Sequence, residues 1–77
     1  MDITVRLIAE LKIFSKENQE EVKIEVTPGN TISEVIEKLQ VPSYLVAIVL
    51  KNKKISRRSD TLESGDIIEL LPSTTGG

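Results

Sequence analysis

The chain has 77 residues, 39% of them apolar, and a formal charge of -2, with a pI near 5.1. That is one domain with a single core. The acidic balance argues against general nucleic-acid binding. The absence of Cys and His excludes disulfides, thiolate metal sites, thiol catalysis and the commonest general base. No apolar run approaches the roughly 20 residues of a membrane span, and the N-terminus lacks the apolar block of a secretion signal. A cytoplasmic protein without a bound cofactor, metal or membrane partner is the expectation.

Residues 2–8 alternate. Ile3, Val5 and Leu7 fall on one face and Thr4 and Arg6 on the other, which predicts a strand. Ile8 interrupts the pattern. Leu11 and Phe14 stand three apart and suit a short helical turn over 9–16, and residues 15–19 read as a loop. Residues 21–27 give a strand with one wet face, Val22, Ile24 and Val26 pointing opposite to Glu21, Lys23, Glu25 and Thr27. Pro28-Gly29-Asn30 turns the chain.

Thr31-Ile32-Ser33-Glu34 fits a capping box at a helix start. Ile32, Val35, Ile36 and Leu39 then form one apolar stripe. Pro42 disfavours a helical residue before it, so the helix is expected to stop near Leu39 or Gln40. The six apolar residues 45–50 predict a strand covered on both faces. A turn follows over 51–54, then a short strand at Ile55, an isolated apolar anchor at Leu62, a second turn at Ser64-Gly65-Asp66 and a last strand over 67–71. In that strand Ile67 and Leu71 share a face with Glu69, while Ile68 and Leu70 share the other. One pair is therefore expected to be partly exposed. Ile67 and Leu71 are a candidate docking patch, with plain core packing as the alternative.

The final residues, Pro72-Ser73-Thr74-Thr75-Gly76-Gly77, hold no apolar side chain beyond Pro72 and no charged one. They cannot build a core. Extended, six residues reach about 20 Å. Glycine lacks Cβ, so Gly76 and Gly77 suit a backbone that threads a narrow channel. The expected division is a folded domain over 1–71 and a tail over 72–77. Lys51, Lys53, Lys54, Arg57 and Arg58 put five positive charges into eight residues. They read first as a solvated hairpin and second as a surface for an acidic partner.

The order strand, strand, helix, strand, short strand, strand predicts an α+β fold in two layers, a mixed sheet of four to five strands with one main helix. This order resembles the β-grasp of ubiquitin. Residues 5–12 (Val-Arg-Leu-Ile-Ala-Glu-Leu-Lys), 28–36 (Pro-Gly-Asn-Thr-Ile-Ser-Glu-Val-Ile), 62–68 (Leu-Glu-Ser-Gly-Asp-Ile-Ile) and the tail resemble, in order, the small, sulfur-carrying subunit of molybdopterin synthase. The thiamine-pathway sulfur carrier and archaeal ubiquitin-like modifiers share the outline. Ser73, Thr74 and Thr75 stand where the molybdopterin subunit often has a second proline and an apolar residue.

The resemblance implies that Gly77 is the reactive residue. A partner of the ubiquitin-activating (E1-like) type would use ATP to adenylate its carboxylate, and sulfur would replace AMP to give a thiocarboxylate. Gly76 gives clearance, and Pro72, Ser73, Thr74 and Thr75 enter the partner's cleft. A large synthase subunit, or an equivalent sulfur acceptor, would supply the catalytic side chains. Molybdenum-cofactor synthesis is the first expectation. Thiamine synthesis, tRNA thiolation, conjugation of Gly77 to target lysines and a plain interaction module are the alternatives.

Overall fold

A computed structural model describes residues 1–73. Five strands form one mixed sheet: β1 (Asp2–Leu7), β2 (Glu21–Glu25), β3 (Val46–Lys51), β4 (Lys54–Ile55) and β5 (Ile67–Pro72). Their spatial order is β2-β1-β5-β3-β4. β5 lies between the N-terminal strand and β3, parallel to β1 and antiparallel to β3. One helix, α1 (Ile32–Lys38), covers one face of the sheet. This is the β-grasp arrangement that the element order predicts.

The core lies between these two layers. Ile3, Val5 and Leu7 of β1 and Ile68 and Leu70 of β5 are essentially inaccessible. They meet Ile32, Val35 and Ile36 of the helix, with Leu11, Val26, Val41 and Leu62 closing the ends. Leu11 comes from a 3-10 turn over Ala9–Phe14. Within residues 15–19, Glu17 and Asn18 sit at φ of 62° and 52°, giving an irregular turn.

The helix begins where the capping box places it. The Thr31 hydroxyl accepts from the Glu34 N–H at 3.2 Å, and the Glu34 carboxylate accepts from the Thr31 N–H at 2.8 Å. That backbone bond is the main reason the Glu34 carboxyl is held below its usual range. Truncating Thr31 to Ala is expected to cost about 1 kcal/mol in chemical denaturation. A carboxyl with a lowered folded pKa stabilises above its unfolded value and loses that contribution as pH falls through the folded one. The difference between wild type and Glu34→Gln should therefore be full at neutral pH and shrink only as pH falls below the ordinary glutamate value of about 4.3.

The helix ends at Lys38, with Leu39 as its cap. The N–H of Gln40 donates to Glu37 and that of Val41 to Ile36, the paired bonds of a Schellman ending. Gln40 adopts φ of 61° there, a conformation that costs a residue with Cβ about 1–2 kcal/mol. Val41, buried, supplies the apolar contact that accompanies such an ending.

The strand at 45–50 departs from expectation. It is not covered on both faces: Ala47 and Ile48 are exposed while Val46 and Val49 are buried. A register shift between Val46 and Ile48 explains this. A bulge at Ala47 resets the alternation, so residues three apart both face the helix. Only one layer covers this sheet, and the other face stays open. Leu45 falls just before the strand, in a turn over Ser43–Leu45.

Side-chain hydrogen bonds organise the connections. Asn52 and Lys53 form the two-residue hairpin with φ of 52° and 73°, the primed turn that twisted strands favour. Asn52 Nδ2 donates to Asp66 Oδ1 at 2.9 Å, and its Oδ1 accepts from the Ile67 N–H at 2.9 Å. The buried Asp66 also accepts from the Glu63 N–H at 2.8 Å. Gly65, at φ +85°, makes that turn. Together these bonds pin the start of β5.

Candidate functional site

β5 is the central strand, and it delivers the chain to Pro72 and Ser73. Its inward residues, Ile68 and Leu70, are fully buried, which fixes its register through the core. Ile67, Glu69 and Leu71 therefore point to the open face. Pairing brings Thr4 beside Ile67, Arg6 and Leu50 beside Glu69, and Ile48 beside Leu71. Ile55 lies beside Leu50. Ile48 is 44% exposed, Ile67 40% and Ile55 80%, with Leu50 and Leu71 half-buried. The open face thus carries an apolar band across β4, β3 and β5. The structure places both Ile67 and Leu71 on it.

A charged cluster crosses that band. Arg6 donates to Glu69 Oε2 at 3.0 Å and to Glu20 Oε1 at 2.7 Å. The bond to Glu20 is the main reason the Arg6 guanidinium is held above its usual value, with the charges of Glu20, Glu69 and Glu21 adding to it. Lys53 Nζ lies 3.7 Å from Glu69 Oε1, outside hydrogen-bonding range. Glu69 is buried, although the alternation places it on the open face. The pair with Arg6 satisfies one oxygen, and Oε1 accepts no hydrogen bond among the described residues.

A second apolar group surrounds the root of the tail. Pro72 pairs with Val46, so the strand runs one residue past the predicted end. Beside it lies a cavity of about 150 Å3, lined by Ile13, Phe14, Tyr44, Leu45, Pro72 and Ser73. Ile13 and Tyr44 are strongly exposed. Sequence reasoning missed this collar. The available signal was weak: in the turn Ala9–Phe14, burial of Leu11 forces Ile13 outward, and Tyr44 sits between Pro42 and the first residues of β3.

The tail residues assigned chemistry, Gly77 and Gly76, and the assigned partner-binding residues Thr74 and Thr75 lie outside the described residues. Ile67, Leu71, Pro72 and Ser73 lie within them, along one strand and its exit.

The basic segment resolves into separate roles. Arg58 binds the Ser43 Oγ at 3.0 Å, the Ser43 carbonyl at 3.2 Å and the Val46 carbonyl, so it staples two loops together. Lys51 Nζ donates to the Thr61 carbonyl at 3.2 Å, and Lys53 leans toward Glu69. Three of the five cations thus serve the fold's own contacts.

Among solved structures, the chain is similar to SAMP1 from Haloferax volcanii, with 19% identity, full coverage of both chains and a TM-score of 0.80. It is similar to a putative molybdopterin converting factor subunit 1 from Pyrococcus furiosus, with 15% identity, 94% of this chain and 97% of that one covered, and a TM-score of 0.77. It is also similar to a chain in the complex of subunits 1 and 2 of the molybdopterin-converting factor from Helicobacter pylori, with 26% identity, full coverage of both and a TM-score of 0.66. No curated protein sequence gives a significant match. The ThiS family model matches residues 5–77, from the first strand through both terminal glycines, and the chain belongs to the ThiS family.

Proposed function

We propose that the chain is a sulfur carrier that acts as a protein cosubstrate through the carboxyl group of Gly77. The observation that carries this reading is the continuity of the family match through the tail, together with a central strand that leads directly to it. A carboxylate is a poor electrophile. An activating enzyme would join it to the α-phosphate of ATP, releasing pyrophosphate. A persulfide sulfur then attacks the acyl carbon and AMP leaves. A thiol cleaves the resulting sulfur–sulfur bond and frees the thiocarboxylate. The chain contains no Cys, so among its own groups the sulfur rests on Gly77.

The open face and the tail-root collar supply docking area, which the tail needs because ordering each residue costs about 1–2 kcal/mol. Molybdopterin synthesis is the favoured pathway. The similarity to a chain in the complex of subunits 1 and 2 of the H. pylori molybdopterin-converting factor supports a large subunit as the sulfur acceptor. A second reading, conjugation of Gly77 to target lysines, draws support from the likeness to a small archaeal modifier protein of H. volcanii. It would leave a Gly-Gly remnant on lysines of larger proteins after digestion.

The test is ATP–pyrophosphate exchange with the activating enzyme from the same cell. Exchange that depends on this chain is the expected result. No exchange above the enzyme-alone rate would overturn both readings.

A further inference from the structure

The β2 side of the sheet carries a feature that the sulfur-carrier reading does not use. β2 is an edge strand. Val26 exchanges backbone bonds with Met1 at 2.8 and 2.9 Å, and the Leu7 N–H donates to Glu20 at 2.6 Å. In antiparallel pairing hydrogen-bonded positions alternate. Val22 and Ile24 therefore bond to β1, while the backbone groups of Glu21, Lys23 and Glu25 turn outward. Of these, the Glu25 carbonyl accepts from Lys38 Nζ at 2.8 Å. The N–H and C=O of Lys23 have no partner among the described residues.

Along this edge, between β2 and the end of α1, runs a cleft of about 750 Å3. Phe14, Val22 and Leu39 give it an apolar floor, each half-buried against the core. Lys16, Lys23 and Lys38 line its rim against one acid, Glu21. The ammonium groups of Lys16 and Lys23 have no ion-pair partner among the described residues. A chain of net charge -2 has thus gathered local positive charge beside an open strand.

We propose that this edge binds an extended acidic-apolar segment of another protein by strand addition. The outward backbone groups give the main-chain bonds and the cleft takes alternate side chains. Residues opposite Val22 and Ile24 face the cleft and are apolar. The residue between them lies opposite Lys23 and is acidic, and a further acid reaches Lys16 or Lys38. A second copy of this chain is a poor occupant. Twofold antiparallel pairing centred on Lys23 would set Lys23 against itself and Glu21 against Glu25, and like charges directly opposite each other are destabilising.

The test titrates the full-length 15N-labelled chain with the peptide Ac-Thr-Val-Asp-Ile-Thr-Asp-NH2. The expected result is saturable amide shifts at Glu21, Lys23 and Glu25, with slowed hydrogen exchange at Lys23. The same peptide with Lys for both Asp should bind at least about tenfold more weakly. Lys23→Pro should abolish the shifts. The edge-facing N–H it removes bonds nothing in the sheet, so the strand itself tolerates Pro. Should that variant fail to fold, Lys16→Glu, at an exposed position, should weaken binding about tenfold. Three results would overturn the proposal: no saturable shift at several-millimolar peptide, shifts confined to the open face of β3 and β5, or equal binding of the lysine peptide.

Discussion

Replacing Ile48 with arginine is expected to weaken binding of the sulfur-acceptor subunit by roughly 30- to 700-fold, leaving the fold intact. Ile48 sits beside Leu71 at the centre of the apolar band and is 44% exposed. The free chain can therefore hold an arginine there in water. In a complex, the same arginine would be buried without a partner. Central apolar anchors typically cost about 2–4 kcal/mol when disrupted, and about 1.4 kcal/mol corresponds to a tenfold change. Titration calorimetry with the cognate large subunit measures the loss, and a thermal melt confirms the fold. An unchanged dissociation constant with an unchanged melt would show that the open face is not the docking surface.

Deleting Gly77 is expected to slow adenylation by more than about 100-fold while leaving affinity for the activating enzyme within a few-fold. One residue fewer shortens the tail by about 3.3 Å. The carboxylate then belongs to Gly76 and stops short of the α-phosphate. Misplacement of a reacting group by as little as 1 Å can cost about 100-fold. The body's docking area is untouched, so binding should survive where chemistry does not. Single-turnover pyrophosphate release separates the two. A variant that turns over at the wild-type rate would mean that the terminal carboxyl need not be placed as proposed.

Much of this architecture is legible locally. The capping box at Thr31 and Glu34 needs only four residues, and the structure forms both of its bonds. The alternation in 67–71 already separates Ile68 and Leu70 from Ile67 and Leu71, because a central strand pinned by two buried residues has no freedom of register. The strand at 46–51 shows where local reading stops. Six apolar residues in a row look doubly covered, and the bulge at Ala47 that turns Val46 and Val49 to one side leaves no mark in the periodicity. The alternation puts Glu69 on the face of Ile67 and Leu71 but gives no sign of its burial, since its partner Arg6 lies 63 residues away in sequence.

The collar around Pro72 and the cleft beside β2 depend on segments brought together only by folding: Ile13 with Tyr44, and Phe14 with Leu39. The Asn52–Asp66 and Arg58–Ser43 bonds span 14 and 15 residues and are equally invisible to short-range pattern. The end of the last strand is legible only approximately: the pattern stops at Leu71, and Pro72 still pairs with Val46.

The most direct measurement is the intact mass of this chain after incubation with the activating enzyme, ATP and a persulfide donor. The sulfur-carrier account expects a species heavier by the difference between one sulfur and one oxygen atom, lost when Gly77 is deleted and consumed on adding the acceptor subunit with its substrate. An adenylated chain that never gains that mass, and appears instead on lysines of larger proteins, would contradict it.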